Sequence, residues 1–424
     1  MLGNLIKSER IKQGKKQNVL AKGICSTSYL SKIENNQVAP NSEILQLLAN
    51  RLNLNLDLAK SDLENHHVYH EEFFSIYKEV IQKRSTSYTK EKLSYLSDKR
   101  SNYFSKETFF DFKLLQLYLL LIIGTNFDEI DSQIAVLSSN VQSLDHKQSY
   151  LFEKCLGIHC YNNNQFSRAC DAFDRAAQKL PFEQFGEIEK ADLAYIRSLA
   201  LLANNQYFQC IECLTYPTQY FMNKVNFSRL IECLLIEGIA HQKLKNLEKA
   251  QEIYSKALKL AENTQYSNFI PVIYQNLGSV NSSLGNLEEA LDYFFKSFEM
   301  KVTLEKQLIT IFSIIQIYSK LENYVIMETW INRGISLIEN HENYKSYYYH
   351  FKLYYHLFIQ FDDLKFINEA LSHFENKNDA RHVYKYGIKV AELLRKQQKY
   401  KLATHYYERA TFTNNQNVRY WEDL

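Results

Sequence analysis

The sequence predicts an all-α protein: an N-terminal helix-turn-helix domain followed by a right-handed superhelical solenoid of helical hairpins. Three observations carry this expectation. Residues 1–52 and 127–410 have different periodicities, the first that of a few short amphipathic helices, the second that of a hairpin recurring about every 40 residues. Only 11 Gly and 4 Pro occur in 424 residues, so few turns demand positive φ or a fixed kink. The 31 Tyr and 26 Phe supply large apolar contacts to every hairpin. A chain of this length would normally divide into several cores, but a solenoid grows lengthwise because each repeat packs on its neighbours.

In the head, Leu2, Leu5, Ile6 and Glu9–Ile11 mark one amphipathic helix, ended near Gly14. Gln17–Ala21 starts a short second helix, with Ala21 small where two helices cross. A turn at Gly23–Cys25 leads to a third, capped by Ser26 or Thr27, with Tyr29, Leu30 and Ile33 facing inward. Beyond Asn35, Asn36 and Pro40, Asn41 or Ser42 caps a fourth helix whose Ile44, Leu47, Leu48 and Leu52 close the core. The spacing Q-x-x-x-A, then S-x-S-Y-x-S-x-I-E-x-x-x-x-x-P, resembles the Xre/Cro-like helix-turn-helix family over about residues 2–58. That resemblance implies a third helix in the major groove of double-stranded DNA, with Thr27, Ser28 and Lys32 facing base edges. It implies phosphate contacts from Gln17, Ser31 and Asn36, helped by Lys15 and Lys16. Arg10 and Glu34 sit where family members carry a structural ion pair, and a homodimer or higher homo-oligomer on spaced half-sites is implied.

Charge agrees with that layout. The net charge is only +2, yet residues 1–60 hold nine Lys/Arg against four acids, leaving the remainder slightly acidic. A basic head on a near-neutral body points to a polyanion contacted by the head alone. Seven Cys is an odd number, and Cys210 and Cys213 lack a second pair at zinc-finger spacing, so buried thiols are the reading. His66, His67 and His70 are explained by a solvent-exposed linker. No GxxxxGK[ST], HExxH or GxSxG is present, so neither an enzyme nor a cofactor or metal is expected. The apolar run Leu114–Ile123 is half of what a membrane crossing needs, and no signal peptide is read, so a cytoplasmic chain is expected.

The repeats announce themselves at fixed offsets. Ala169, Cys210, Ala250, Ala290, Met327, Ile367 and Ala403 follow one another at gaps of 36 to 41 residues, early in each second helix. Three residues before each stands Phe166, Tyr207, Leu247, Leu287, Tyr324, Leu364 or Tyr400, an apolar plug at the hairpin tip. Weaker units fit around Glu91 and Ile130, giving about nine hairpins. The pattern resembles the tetratricopeptide repeat, stretched beyond its usual length. Such stacks present their first helices to a concave groove where an extended peptide can lie. The polar residues expected on that face are Lys154, Tyr161, Asp192, Tyr195, Glu232, Gln242, Gln275, Asn276, Ser279 and Gln316, with Lys352 and His356. Asn276 heads the set because an amide both donates to and accepts from a peptide backbone.

The organisation read is a head over 1–60, a linker over 61–70 and repeats over 71–424. A head of this kind before long repeats, in a chain rich in Asn, Lys, Ile and Tyr, resembles the RRNPP family, its NprR-like branch in length and hairpin number. The resemblance implies a transcription regulator of cell-density (quorum) signalling, controlled by a short re-imported oligopeptide bound in the repeat groove. Some members also act on a sporulation phosphorelay, so the alternative implied is a scaffold that sequesters a response-regulator protein, its head serving localisation or dimerisation.

Overall fold

The computed structural model describes residues 2–54, 56, 66–98, 106–124, 127–339 and 341–414. Among them every long regular element is an α-helix, and no strand occurs. The head is built from α1 (Leu2–Lys12), α2 (Gln17–Ala21), α3 (Thr27–Glu34) and α4 (Ser42–Arg51). Its boundaries follow from local chemistry. The Ser26 hydroxyl accepts from the Tyr29 amide at 3.1 Å and the Asn41 side chain accepts from the Ile44 amide at 2.8 Å, each satisfying an orphan donor of a helix start. Ile6, Leu20, Ala21, Leu30, Ile33 and Leu48 form the core. Leu48 and Leu52 are buried as expected and Ile44 packs against them, but Leu47 is 45% exposed and its place on the inward face of α4 is taken by Leu45 and Ala49.

Nine hairpins follow among the described residues. Their leading and trailing helices are α5 (His66–Lys83) and α6 (Thr86–Ser97), α7 (Lys106–Ile123) and α8 (Phe127–Ser138), and α9 (His146–Asn162) and α10 (Phe166–Lys179). Next come α11 (Glu187–Ala203) and α12 (Tyr207–Asn223), α13 (Phe227–Lys243) and α14 (Leu247–Glu262), and α15 (Ile270–Leu284) and α16 (Leu287–Met300). The last three are α17 (Leu304–Lys320) and α18 (Tyr324–Ile338), α19 (Lys345–Phe358) and α20 (Leu364–Asn376), and α21 (Ala380–Lys396) and α22 (Tyr400–Asn414). Residues 61–65 of the expected linker, the side chains of His66 and His67, and residues 415–424 lie outside the described residues. The rest of that linker is helical, because α5 already begins at His66 and His70 Nδ1 meets Asp111 Oδ2 at 2.6 Å. The hairpins fall into two compact units, Met1–Lys224 and Val225–Leu424.

All seven plugs are the first residues of trailing helices α10, α12, α14, α16, α18, α20 and α22. The small or apolar residue three positions on is buried in every case, at 0% exposure except Ala403 at 3%. Two residues before six of the plugs the chain takes a left-handed turn, at Asn164, Asn205, Lys245, Gly285, Glu322 and Gln398. Before Leu364 the turn is held instead by the Asp363 carboxylate, which accepts from the Phe366 amide at 2.8 Å.

Leading helices carry glycine where a trailing aromatic ring lies flat against the backbone. A Cβ on Gly238 would stand 2.4 Å from the Tyr254 ring, and one on Gly278 would stand 2.6 Å from Phe294. Gly238→Ala is expected to lower stability by about 1–3 kcal/mol, through overpacking against a wholly buried tyrosine. Gly285→Ala meets no neighbour but is forced to φ +87°, costing about 1 kcal/mol. Chemical denaturation of both variants checks the ranking, and an equal loss in the two would refute it.

The apolar run of α7 is spent inside the protein: Leu114, Leu115, Leu117, Leu119, Leu120 and Leu121 are buried. No helix among the described residues is long and apolar enough to cross a membrane. All seven cysteines are free thiols; Cys155, Cys170, Cys210 and Cys233 are buried and Cys25, Cys160 and Cys213 half-buried. Burial holds the thiols of Cys25, Cys155, Cys160, Cys170 and Cys213 above their ordinary range, Cys155 to about 12 and Cys170 to about 11.

Candidate functional site

In the head, α3 presents its outer face to solvent. Thr27, Ser28 and Lys32 are exposed there, Ser31 is half-buried, and Lys16 stands exposed at the start of α2. The remaining residues expected at DNA are also engaged within the fold. Gln17 Nε2 donates to Glu34 Oε2 at 2.7 Å, and Lys15 Nζ donates to the Arg51 carbonyl at 2.8 Å. Asn36, exposed and at φ 53°, accepts from the Gly3 amide at 3.1 Å. Arg10 grips Glu34 through Nε at 2.6 Å and Nη2 at 2.9 Å, a fork-to-fork pair. Burial disfavours the Glu34 carboxylate, yet bonds from Arg10 and Gln17 overcome that and hold it below the usual range. The one acid of α3 is thereby turned inward, and its outer face carries only hydroxyls and a lysine.

In the first unit three residues expected on the groove face are buried. Lys154 is wholly buried, and Asp192 and Tyr195 are each 6% exposed. Lys154 Nζ donates to Glu189 Oε1 at 2.7 Å, Asp192 Oδ2 at 2.9 Å and the Tyr77 hydroxyl at 3.0 Å. The Tyr77 hydroxyl donates to Glu189 Oε1 at 2.5 Å, and the Tyr150 hydroxyl donates to the same oxygen. Burial works against the ammonium, but Asp192 and Glu189 outweigh it and keep Lys154 above its ordinary value. This cluster ties α5, α9 and α11 together, so Lys154 acts inside the fold. Tyr161 and Asp192 are brought together at a cavity of about 320 Å³ that also meets Val80, Arg84, Tyr118 and Asn162.

In the second unit the leading helices are stitched side by side through polar side chains. Gln242 Nε2 donates to Ser279 Oγ and Gln275 Nε2 to Ser313 Oγ, both at 2.9 Å, while Lys320 Nζ donates to Ser282 Oγ at 3.2 Å. Gln316 lies near the Tyr354 hydroxyl. Residues 275, 279 and 282 on α15 and 313, 316 and 320 on α17 lie one face apart in helical spacing, so these contacts mark one common face. Asn276 is half-buried within α15, and its side-chain amide makes no hydrogen bond among the described residues. Glu232 is taken by Arg229 at 3.4 Å, Lys352 lies by the Tyr355 ring, and His356 pairs with Asp362 at 3.2 Å. Sequence reasoning missed Glu189, Ser313 and Lys301. Lys301 lies between helices, where a search confined to leading helices does not look.

A four-helix head with an exposed hydroxyl-and-lysine α3, followed by nine helical hairpins, defines a helix-turn-helix module joined to tetratricopeptide-type repeats. Family models agree: a helix-turn-helix matches residues 6–58 and a tetratricopeptide repeat matches residues 231–301. The chain is 27% identical over 402 residues to the transcriptional activator NprA of Geobacillus stearothermophilus, covering 92% of this chain and 97% of that protein. The chain thus joins a helix-turn-helix head to repeats of the tetratricopeptide type. Its fold matches the apo quorum sensor NprR from B. thuringiensis with a TM-score of 0.70 at 16% identity, covering 82% of this chain and 99% of that one. It also matches NprR in complex with its cognate peptide NprX, at a TM-score of 0.58 and 15% identity, covering 83% and 98%.

Proposed function

We propose that this chain is a DNA-binding transcription regulator whose activity is set by a short signalling oligopeptide held on the leading helices of the repeats. The observation that carries it is the likeness to NprA, a transcriptional activator, along nearly the whole of both chains. The outward face of α3 supports the DNA half. A polar ladder with an unengaged Asn276, in a fold shared with a quorum sensor bound to its peptide, supports the other half. The residues proposed at DNA are Thr27, Ser28, Ser31 and Lys32, with Lys15, Lys16, Gln17 and Asn36 at phosphates. Those proposed at peptide are Gln242, Gln275, Asn276, Ser279 and Gln316. The chain is read as a binding protein rather than an enzyme, acting inside the cell as a homo-oligomer.

Peptide can change DNA affinity only by binding two arrangements of the repeats unequally, and a coupling of about 1–3 kcal/mol is typical. The test is to select duplexes from a random pool with the full chain and measure affinity for the winner. Lys32→Ala is expected to weaken binding by about 1–3 kcal/mol and flatten its salt slope, leaving the melting curve unchanged because Lys32 is exposed. If no duplex is enriched, or if Lys32→Ala binds as the parent does, the regulator reading fails and the scaffold reading gains.

A further inference from the structure

The charges of the second unit are sorted between its two helix sets. Its leading helices, α13, α15, α17, α19 and α21, hold eleven Lys/Arg against four acids. Its trailing helices hold eight against eleven. A near-neutral total therefore conceals a basic face and an acidic one. Two of the four acids are accounted for: Glu232 meets Arg229, and Glu237 lies in the field of Lys249 and Lys256 on the trailing helix α14.

Several of the cations have no carboxylate among the described residues. Lys301 is 8% exposed, and its ammonium donates only to neutral oxygens, Gln275 Oε1 at 2.9 Å and Thr310 Oγ1 at 2.6 Å. Gln275 in turn bonds Ser313, so Lys301 lies directly beneath the polar ladder. Lys385 lies half-buried beside the Tyr354 ring at 5.8 Å, and Lys320 reaches only Ser282. Lys243 on α13 and Arg381 on α21 are four hairpins apart in sequence yet close enough to repel each other, as are Lys385 and Lys320. Cations of leading helices several hairpins apart in sequence therefore lie in one another's field. Burial and these like charges push Lys385 down to about 8, and burial with Lys306 does the same to Lys301.

A protein that folds cations together without counter-ions keeps a standing electrostatic cost that a bound anion relieves. We propose that the leading face of the second unit is a receptor for an anionic ligand, a short peptide bearing carboxylates, with Lys243, Lys301, Lys320 and Lys385 as its counter-ions. This rests on the peptide reading above and adds the chemical class of the peptide. A peptide fits better than a nucleic acid because the ladder between the cations is made of amides and hydroxyls that match a peptide backbone.

The test offers the full chain three heptapeptide pools with identical neutral positions. One carries two Asp or Glu at random sites, one Asn or Gln at those sites, and one Lys. A single-stranded thymidine oligonucleotide is run separately. Ligands retained through gel filtration are identified by mass spectrometry. The expected result is at least tenfold enrichment of the carboxylate pool, falling with added salt. That enrichment disappears in Lys301→Met and, independently, in Lys385→Met, each checked for an intact melting curve. Equal or better retention of the amide or lysine pool overturns the anionic ligand while leaving peptide binding standing. Retention of the oligonucleotide alone, lost in Lys385→Met, overturns it in favour of a nucleic acid. Retention of nothing by folded protein removes the peptide reading and this inference with it.

Discussion

Lys154→Met is expected to destabilise the protein by about 3–5 kcal/mol, because it strands two buried carboxylates without their cation. The ammonium is wholly buried and bonded at 3.0 Å or less to Glu189, Asp192 and Tyr77. Methionine reproduces most of the stem, so the loss measures charge and hydrogen bonding rather than a cavity. Glu189 is 1% exposed and Asp192 6%, so neither can turn to water without moving α11. In the Lys154→Met background, Glu189→Gln removes one of the two stranded charges and recovers about 1–2 kcal/mol. Urea unfolding of the four proteins of this cycle checks both numbers. A single-variant loss under about 1 kcal/mol would show that the cluster is not charged in the folded protein. The effect on function is indirect: α5, α9 and α11 lose their common tie, and the cavity meeting Tyr161 and Asp192 loses its shape.

Arg10→Met has the second large effect, and it falls on the head. Glu34 is 0% exposed and takes both nitrogens of the Arg10 fork. Removing the guanidinium costs about 3–5 kcal/mol, comparable to the whole stability of a domain of this size at about 0.05–0.15 kcal/mol per residue. DNA binding should vanish while the repeats keep their helical signal and their unfolding transition. Duplex binding and circular dichroism on one sample test this. Retained DNA binding in a folded Arg10→Met protein would refute the structural role of the pair. The sign with pH follows from the same bonds. Glu34 is held below its ordinary value despite burial, so the pair contributes above the usual glutamate range and is lost as pH falls through the lower folded value. Duplex binding by the parent protein should fail on acidification below about pH 4 for this reason, while the unfolding transition of the repeats persists.

The sequence was most legible where structure is decided locally. Ser26 and Asn41 cap their helices because a short side-chain oxygen beside a helix start has few other uses. The seven plugs mark helix starts because each hairpin turn repeats the same local geometry. The Arg10–Glu34 pair was legible through family spacing. Legibility ended where distant segments meet. Nothing near Lys154 announces that Glu189 and Tyr77, 35 and 77 residues away, will enclose it, so a lysine on a leading helix read as a groove residue. Leu47 failed by one position, since adjacent leucines in Leu47–Leu48 leave the helical face ambiguous. His66–His70 read as linker because its histidines are polar, although they open an amphipathic helix. The basic leading face stayed hidden because composition averages the two helix sets of a hairpin, and only assigned helices separate them.

The cysteines have a practical consequence. Cys155 and Cys160 sit on α9, Cys170 on α10, Cys210 and Cys213 on α12, and Cys233 on α13. A thiolate reacts only when it forms and is reached, so burial makes each of these sulfurs a slow target until its own hairpin breathes. Iodoacetamide added to the native protein thus writes a dated record of local opening onto six native positions across consecutive hairpins. Read by peptide mass before and after ligand addition, that record reports which segments tighten, with no engineered probe.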